Sequence, residues 1–329
     1  MDSHKHLGLT LSSSLRFHDH VNDIIKKVNA ALGPLYPISK YVPREILNII
    51  YRTYVRPFFD YSDIVYHGHL TATDSLRLER LHNRAARLVT GALFRTPTDK
   101  LLADLGWTTL HTRREVNCLF YMYKMTNPRF CTPRYLTDIL PATRDNVTFH
   151  RLRNSSDFSL PTNRLSSYKN SFIPRTIRAW NNLPMVIRTK PSLPSFKRAV
   201  VREHGAQRPP AFFAHGLKIP NILHTRLRLD VSELNAHLFK IQSTKTNTPY
   251  CTCGQVPETT KHFLINCPLY NANRNTMEAS INTIIPSFSN STPQQKLEII
   301  LYGEGLNETD RLAVARAVHK FITDTRRFC

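Results

Sequence analysis

Glycine-rich phosphate-binding loops are absent from this sequence of 329 residues. Only 10 residues are Gly, and neither GxGxxG nor GxxxxGK occurs. Both patterns need glycines that let the backbone approach a phosphate closely. Dinucleotide-binding and P-loop functions therefore lose their main support. The sequence also lacks G-x-S-x-G and H-E-x-x-H, the signatures of serine hydrolases and zinc proteases.

Paired aspartates are missing as well, since no Asp-Asp occurs anywhere in the chain. A two-metal polymerase or nuclease needs several clustered carboxylates to hold its divalent ions. The closest pair is Asp60 and Asp63. We interpret these two as helix caps or surface pairs rather than as a catalytic pair, and no other motif in the sequence indicates an enzyme.

Long apolar runs are absent too, and none approaches the ~20 residues that span a bilayer. The first residues lack the apolar stretch of a secretory signal. Three of the six cysteines fall within 17 residues, which favours a metal cluster in a reducing compartment over a disulfide framework. We therefore expect an intracellular protein of the nucleus, the cytoplasm or both.

Acidic residues are scarce relative to basic ones. The chain has 45 Lys and Arg against 24 Asp and Glu, a net charge of +21, and its 41% of apolar residues is ordinary for a globular protein. Such an excess favours a polyanionic partner, first of all RNA or DNA. An acidic membrane surface ranks second, and a basic protein without a functional patch is the remaining alternative. Neither a membrane nor a small-molecule substrate is the expected partner.

Apolar residues recur at helical spacing along most of the chain, which predicts a mainly α fold. The predicted helices cover residues 19–33, 43–58, 74–91, 97–105, 109–125, 171–182, 192–201, 294–303 and 309–325. We predict three domains: an all-α domain over 1–130, a basic and partly extended linker or binding segment over 131–210, and a helical domain over 211–329. Residues 141–210 alone hold 13 Lys and Arg against 3 Asp and Glu.

The sharpest local signal is a C-x-C-x8-H-x4-C spacing formed by Cys251, Cys253, His262 and Cys267. Three thiolates and one imidazole are a usual ligand set of a closed, tetrahedral, structural Zn²⁺ site. Gly254 allows a tight turn around the metal. Phe263, Leu264 and Ile265 could form one turn of helix or a short strand between these ligands. Because His262 and Cys267 are five residues apart and need not share a helix face, we expect a loop geometry there. The alternative is three buried thiols beside an ordinary surface histidine.

Two groups of basic residues are candidate nucleic-acid contacts. On the predicted helix 74–91, four arginines spaced 3, 4 and 3 share one face: Arg77, Arg80, Arg84 and Arg87. Arginine forms bidentate contacts with phosphate, although a solvated basic face with Glu79 as partial partner explains the row equally well.

The second group interleaves cations with aromatic residues, a pattern suited to stacked single strands. Its basic members are Lys169, Arg175, Arg178, Lys197 and Arg198. Here the alternative is a small hydrophobic core, because Trp180 and Phe196 occupy positions typical of one.

Five stretches match the residue types and the order of one known family. They are His6–Leu11, Leu47–Tyr66, Leu78–Arg87, Ala179–Pro184 with Phe196-Lys197, and the cluster of Cys251, Cys253, His262 and Cys267. Together they resemble the C-terminal part of non-LTR (LINE-type, jockey-like) retrotransposon reverse transcriptases, the thumb and the region after the palm, which ends in a Cys-Cys-His-Cys knuckle. The resemblance covers nearly the whole chain.

This resemblance implies a helical, thumb-like bundle that grips template–primer duplex through the Arg77–Arg87 face. It further implies that the basic middle segment holds RNA or target DNA and that the zinc knuckle orients the end of the nucleic acid. The family's aromatic-Ala-Asp-Asp catalytic turn has no counterpart here. We therefore expect no catalytic residue or catalytic metal in this chain, no polymerase activity by itself, and a palm in trans as a further partner. The rival hypothesis is a host scaffold protein that keeps the fold without binding nucleic acid.

Overall fold

The computed structural model describes residues 3–146, 156–162, 164–205, 209–254 and 256–328. The chain is 63% helical, and the described ranges contain a single two-stranded sheet, which confirms the mainly α prediction. In chain order the α-helices are α1 (His18–Leu32), α2 (Leu35–Ile38), α3 (Arg44–Ile50), α4 (Pro57–Asp60), α5 (Asp63–Tyr66), α6 (Ala72–Thr90), α7 (Thr98–Leu105), α8 (Leu110–Thr126), α9 (Arg134–Asp138), α10 (Ser166–Asn170), α11 (Phe172–Asn182), α12 (Met185–Arg188), α13 (Leu193–Glu203), α14 (Lys218–Arg228), α15 (Asn235–Lys240), α16 (Asn271–Asn282), α17 (Pro293–Tyr302) and α18 (Glu308–Asp324).

The chain divides into two compact units, and neither is one continuous stretch. The first unit comprises Met1–Gly33, Arg52–His82 and Trp107–Gln207, and the second comprises Pro34–Tyr51, Asn83–Gly106 and Arg208–Cys329. This division differs from the predicted domains 1–130, 131–210 and 211–329. Helical periodicity indicates which face of a helix is buried but not which distant segment covers it, so segments 34–51 and 83–106 could not be assigned from the sequence.

The first unit begins with a β-hairpin, which corrects the expectation that residues 1–130 are all-α. Strands β1 (Ser3–His6) and β2 (Leu9–Ser12) pair antiparallel around a two-residue turn. Leu7 and Gly8 both have positive φ, as a tight hairpin turn of this length requires. The Thr10 hydroxyl donates to Asp23 of α1 at 2.9 Å, which fastens the hairpin to that helix.

The helix predicted over 43–58 is interrupted. Helix α3 ends at Ile50, a π-helical turn covers Tyr51–Val55, and α4 starts at Pro57. Pro57 has no amide hydrogen and cannot continue the helical hydrogen-bond ladder. The π-helical turn, which is wider than an α-helical turn, lies just before this proline. The other predicted helices start and end within about three residues of the observed ones.

The core of the first unit shows that the middle segment is more than a linker. Buried side chains of α8 pack against those of α11 and α13. This core includes Val116, Leu119, Met122, Tyr123, Ile177, Trp180, Phe196 and Val200. The Tyr123 and Phe196 rings stack with centroids 4.3 Å apart. Trp180 and Phe196 are therefore core residues, which agrees with the alternative that these aromatic residues belong to a small hydrophobic core. The predicted segment 131–210 also includes residues 147–155, 163 and 206–208, which lie outside the described ranges.

The second unit has its own core, formed by α14, α16, α17 and α18 around the cysteine-containing segment. Its fully buried members include Phe263, Leu264, Ile281 and Val318. A buried ion triplet also lies in this unit: Asp104 is 2.6 Å from Arg44 and 2.8 Å from Arg228. Among the described helices, none is long and apolar enough to cross a bilayer.

Candidate metal centre and basic surfaces

The four residues of the cysteine–histidine spacing converge in the second unit. Ligand atoms of Cys251, Cys253, His262 and Cys267 all lie within 4.8 Å of one another. The Cys251 and Cys267 sulfurs are 3.6 Å apart, and the Cys253 sulfur is 3.4 Å from His262 Nε2. Cys251, His262 and Cys267 are buried, whereas Cys253 is partly exposed. The predicted ligand set is therefore confirmed as a cluster that can hold a metal ion.

Two local structures bring these ligands together. The first is the turn after Cys251, in which the Gly254 amide donates to the Cys251 carbonyl at 2.8 Å and Gly254 has φ +78°. The Cys251 amide donates to the Val256 carbonyl at 2.9 Å, and an isolated β-bridge joins Tyr250 to Pro257. This short hairpin-like knuckle holds both early cysteines, and its glycine occupies a conformation that other residues rarely adopt.

The second local structure is a π-helical turn over His262–Asn266. The Cys267 amide donates to the His262 carbonyl at 2.7 Å, an i→i+5 bond. The wider turn places residues five apart beside each other, which an ordinary helix does not do. The expectation of a loop between His262 and Cys267 was therefore wrong, and the x4 spacing matches the π turn.

A buried arginine, Arg274, holds this turn in place. Nothing in the sequence indicates this role. The Arg274 guanidinium donates to the Leu264 carbonyl at 3.0 Å and to the Cys267 carbonyl at 2.7 Å. It also donates to the Phe263 carbonyl at 3.5 Å and to the Asn271 side-chain oxygen at 2.7 Å. The carbonyls at a helix end lack intrahelical donors, and Arg274 donates to three carbonyls in this region. Its position on α16 thereby ties the metal ligands to the core of the second unit.

Replacing Arg274 with Met is expected to destabilise the second unit by about 2–6 kcal/mol, because the Leu264 and Cys267 carbonyls each lose a hydrogen bond, at roughly 1–3 kcal/mol for each. Urea unfolding of the full chain measures the change. Arg316→Met is the matched control, since Arg316 is exposed on α18 and has no partner within the described ranges. Equal stabilities for the two variants would contradict the clamp.

Burial raises the pKa of Cys267 to about 12, with the neighbouring Cys251 acting in the same direction. A buried thiol of this kind stays protonated in the absence of a cation. A metal ion holds it as the thiolate and releases the proton. The donor atoms of the cluster thus fit a cation-binding role better than a reactive, low-pKa thiol.

The arginine row lies on α6, with Leu78, Ala85 and Val89 buried on the opposite side as predicted. The four arginines are not equivalent. Arg77 pairs with Asp74 at 3.1 Å and donates to Asn22, and Arg87 is only half-exposed and donates to the Thr96 carbonyl. Arg80 and Arg84 are exposed, and Arg84 lies over the Tyr36 ring at 5.0 Å.

The second basic group also separates into two kinds. Arg175 donates to the Ile64 carbonyl and to the Cys118 sulfur, and Arg178 donates to the Lys169 carbonyl, so both hold local structure. Lys169, Lys197 and Arg198 are exposed, and no carboxylate in the described ranges pairs with them. The Lys197 amine lies 5.1 Å from the Phe120 ring centre. These three cations and Arg80 are the accessible members of the predicted set in the first unit.

The two aspartates that come closest to a carboxylate pair have structural roles. Asp60 accepts two hydrogen bonds from Arg113, at 2.6 and 2.7 Å, and lies 3.3 Å from Arg56. Asp63 is buried and accepts from Asn117 at 2.6 Å. Burial raises the pKa of Asp63 to about 6. Asp60 thus acts as an ion-pair partner and Asp63 as a buried hydrogen-bond acceptor.

Comparison with known proteins gives no neighbour: no family model, curated protein or solved structure matches this chain.

Proposed function

We propose that this chain is a nucleic-acid-binding module, stabilised by a structural zinc site, that works as the thumb and C-terminal part of a reverse-transcriptase-like protein. The observation that carries the proposal is a set of exposed cations in the first unit that pair with no carboxylate among the described residues: Arg80, Lys169, Lys197 and Arg198. An acidic neighbour would have cancelled their attraction for a polyanion. Arg77, by contrast, forms an ion pair with Asp74.

The charge balance of the first unit supports this role. Its three segments contain 25 Lys and Arg against 12 Asp and Glu. A phosphate backbone bound by such a surface releases condensed counterions, which supplies affinity without reading the base sequence. In the first unit Lys197 lies beside the Phe120 ring, and in the second unit Arg84 lies beside the Tyr36 ring. Cations next to aromatic rings also suit the binding of unpaired bases.

Zinc is the metal that the knuckle fits best. Tetrahedral coordination with bonds of about 2.3 Å to sulfur and 2.0–2.1 Å to nitrogen separates two sulfurs by about 3.8 Å and sulfur from nitrogen by about 3.5 Å. The observed separations are 3.6 and 3.4 Å. With three thiolates and one imidazole the coordination shell is complete, so we assign the ion a structural role and no step of chemistry.

Binding rather than polymerisation is the proposed activity. The chain has no Asp-Asp pair, and Asp60 is engaged by two arginines. The module would position nucleic acid for a catalytic palm supplied in trans. The ordered resemblance to the post-palm region of LINE-type reverse transcriptases supports this assignment.

Binding of a fluorescent single-stranded RNA, measured by anisotropy at several salt concentrations, tests the proposal. Log K is expected to fall linearly with log salt, with a slope of about −0.7 for each phosphate neutralised. A flat response would contradict nucleic-acid binding and favour a scaffold. Equal binding to anionic vesicles would favour the membrane alternative. Nucleotide incorporation on primed RNA with Mg²⁺ would contradict the assignment as a non-catalytic module.

A further inference from the structure

A second group of metal-ligand side chains lies in the first unit, away from the cysteine knuckle in sequence. Ligand atoms of His67, His111 and Glu115 all lie within 4.8 Å of one another. His67 opens the short 3₁₀ turn His67–His69 that follows α5. His111 and Glu115 are four residues apart near the start of α8, a spacing that puts both on the same helix face.

The separations suit a shared ion with little rearrangement. His111 Nδ1 is 3.6 Å from Glu115 Oε2. Two ligands with bonds of about 2.0–2.2 Å stand about 3.4 Å apart on a tetrahedral ion. The His67 and His111 rings meet edge to face with centroids 5.0 Å apart. The three side chains, which come from two structural elements, are therefore close enough to share one ion.

An unpartnered nitrogen gives an independent indication of a missing ligand. His67 is 8% exposed, and its Nδ1 has no hydrogen-bond partner within the described ranges. His20 Nε2 and His262 Nδ1 are likewise buried without a hydrogen-bond partner in the described ranges, whereas His82 Nε2 is 3.0 Å from the Thr108 carbonyl and both ring nitrogens of His224 have partners. An unpaired buried polar group is costly, and a metal ion is one partner that an imidazole nitrogen accepts.

We propose that His67, His111 and Glu115 form a second, three-ligand site for a divalent transition-metal ion of the Zn²⁺ and Co²⁺ class. Imidazole nitrogen and carboxylate oxygen are ligands that suit these ions. Three protein ligands leave at least one coordination position for water or an external ligand. The His111 side chain is 58% exposed, so the site is open to solvent.

The charged groups around the site determine how tightly it binds a metal ion compared with the cysteine knuckle. Glu115 supplies one negative charge, and the Glu79 carboxylate accepts from the His111 amide at 2.9 Å. Arg175 and Arg114 act on His67 with positive charge, which opposes a second cation. We therefore expect weaker binding here than at the three thiolates of the knuckle.

Equilibrium dialysis of the zinc-loaded full chain against Co²⁺ tests the site, with bound cobalt counted by mass spectrometry. One Co²⁺ per chain is expected, with weak visible absorption and no thiolate charge-transfer band. Both His111→Ala and Glu115→Gln should lose that equivalent while the tightly held zinc stays in place. His4→Ala is the matched control, because His4 is exposed and adjoins a second strand histidine, His6.

Three outcomes overturn the proposal: no cobalt beyond the knuckle in the unmodified chain, retention of the equivalent in His111→Ala, or its loss in His4→Ala. Circular dichroism of each variant shows whether it folds. If Glu115→Gln fails to fold, His111→Ala decides, since His111 is largely exposed. None of these measurements involves RNA, so the result is independent of the proposed nucleic-acid binding.

Discussion

Replacing Cys251 with Ser is expected to remove the tightly bound metal ion from the knuckle and to loosen the core of the second unit. Zinc in small folded sites contributes apparent binding energies of about 10–16 kcal/mol at pH 7. Phe263 and Leu264, which lie between two of the ligands, are fully buried in this core. Without the metal ion, the knuckle loses the bonds that join its two halves.

The measurements are zinc content after dialysis against a mild chelator and urea unfolding of the full chain. We expect the chelator-resistant zinc to fall from one equivalent to near zero and the unfolding free energy to drop by at least about 3 kcal/mol, a conservative share of that binding energy. Cys131→Ser is the control, because Cys131 is a free and exposed cysteine outside the cluster. A Cys251→Ser protein that keeps its zinc and its stability would refute the structural metal site.

Replacing the four accessible cations of the first unit with Ala is expected to weaken RNA binding about 100–1000-fold at 0.1 M salt. The variant combines Arg80→Ala, Lys169→Ala, Lys197→Ala and Arg198→Ala. If each cation neutralises one phosphate, the slope of log K against log salt becomes shallower by about 3, because each contact contributes about 0.7–0.9. These residues are exposed and make no carboxylate contact within the described ranges, so the fold should be preserved.

A charge-matched variant separates these contacts from net charge. Four exposed cations of the second unit, replaced by Ala together, remove the same total charge: Lys100, Lys240, Arg316 and Lys320. We expect this variant to keep most of the affinity and most of the salt slope. Equal weakening by both variants would mean that RNA responds to overall charge, and the assignment of the four residues would fail.

Local patterns in the sequence were sufficient to predict much of the secondary structure. The spacing of apolar residues located α1, α6, α7, α8 and α18, because a helix with one buried face repeats every 3.6 residues. The hairpin at Ser3–Ser12 was missed, since two strands of four residues give too short an alternation to detect. The π turns at Tyr51–Val55 and His262–Asn266 were missed as well, because such turns are rare and have no simple residue pattern.

The metal centre was predictable and the clamp behind it was not. Cysteine and histidine spacing constrains ligand identity directly, because few other roles need three thiols and an imidazole within 17 residues. Arg274 contacts backbone carbonyls, and carbonyls leave no signal in a sequence. His67 likewise joins His111 across more than 40 residues, a proximity that only the packing of α5 against α8 creates.

The sequence by itself determined the mainly helical character, the excess of positive charge and the identity of four metal ligands, since each depends on residue type and short-range spacing. Tertiary structure decided which predicted arginines and lysines reach solvent. The Arg77 and Arg175 side chains are held by neighbours from other parts of the chain, whereas those of Arg80 and Lys169 are exposed. The sequence gives the charge of a side chain, but whether that side chain can contact a ligand depends on the neighbours that it has in the folded chain.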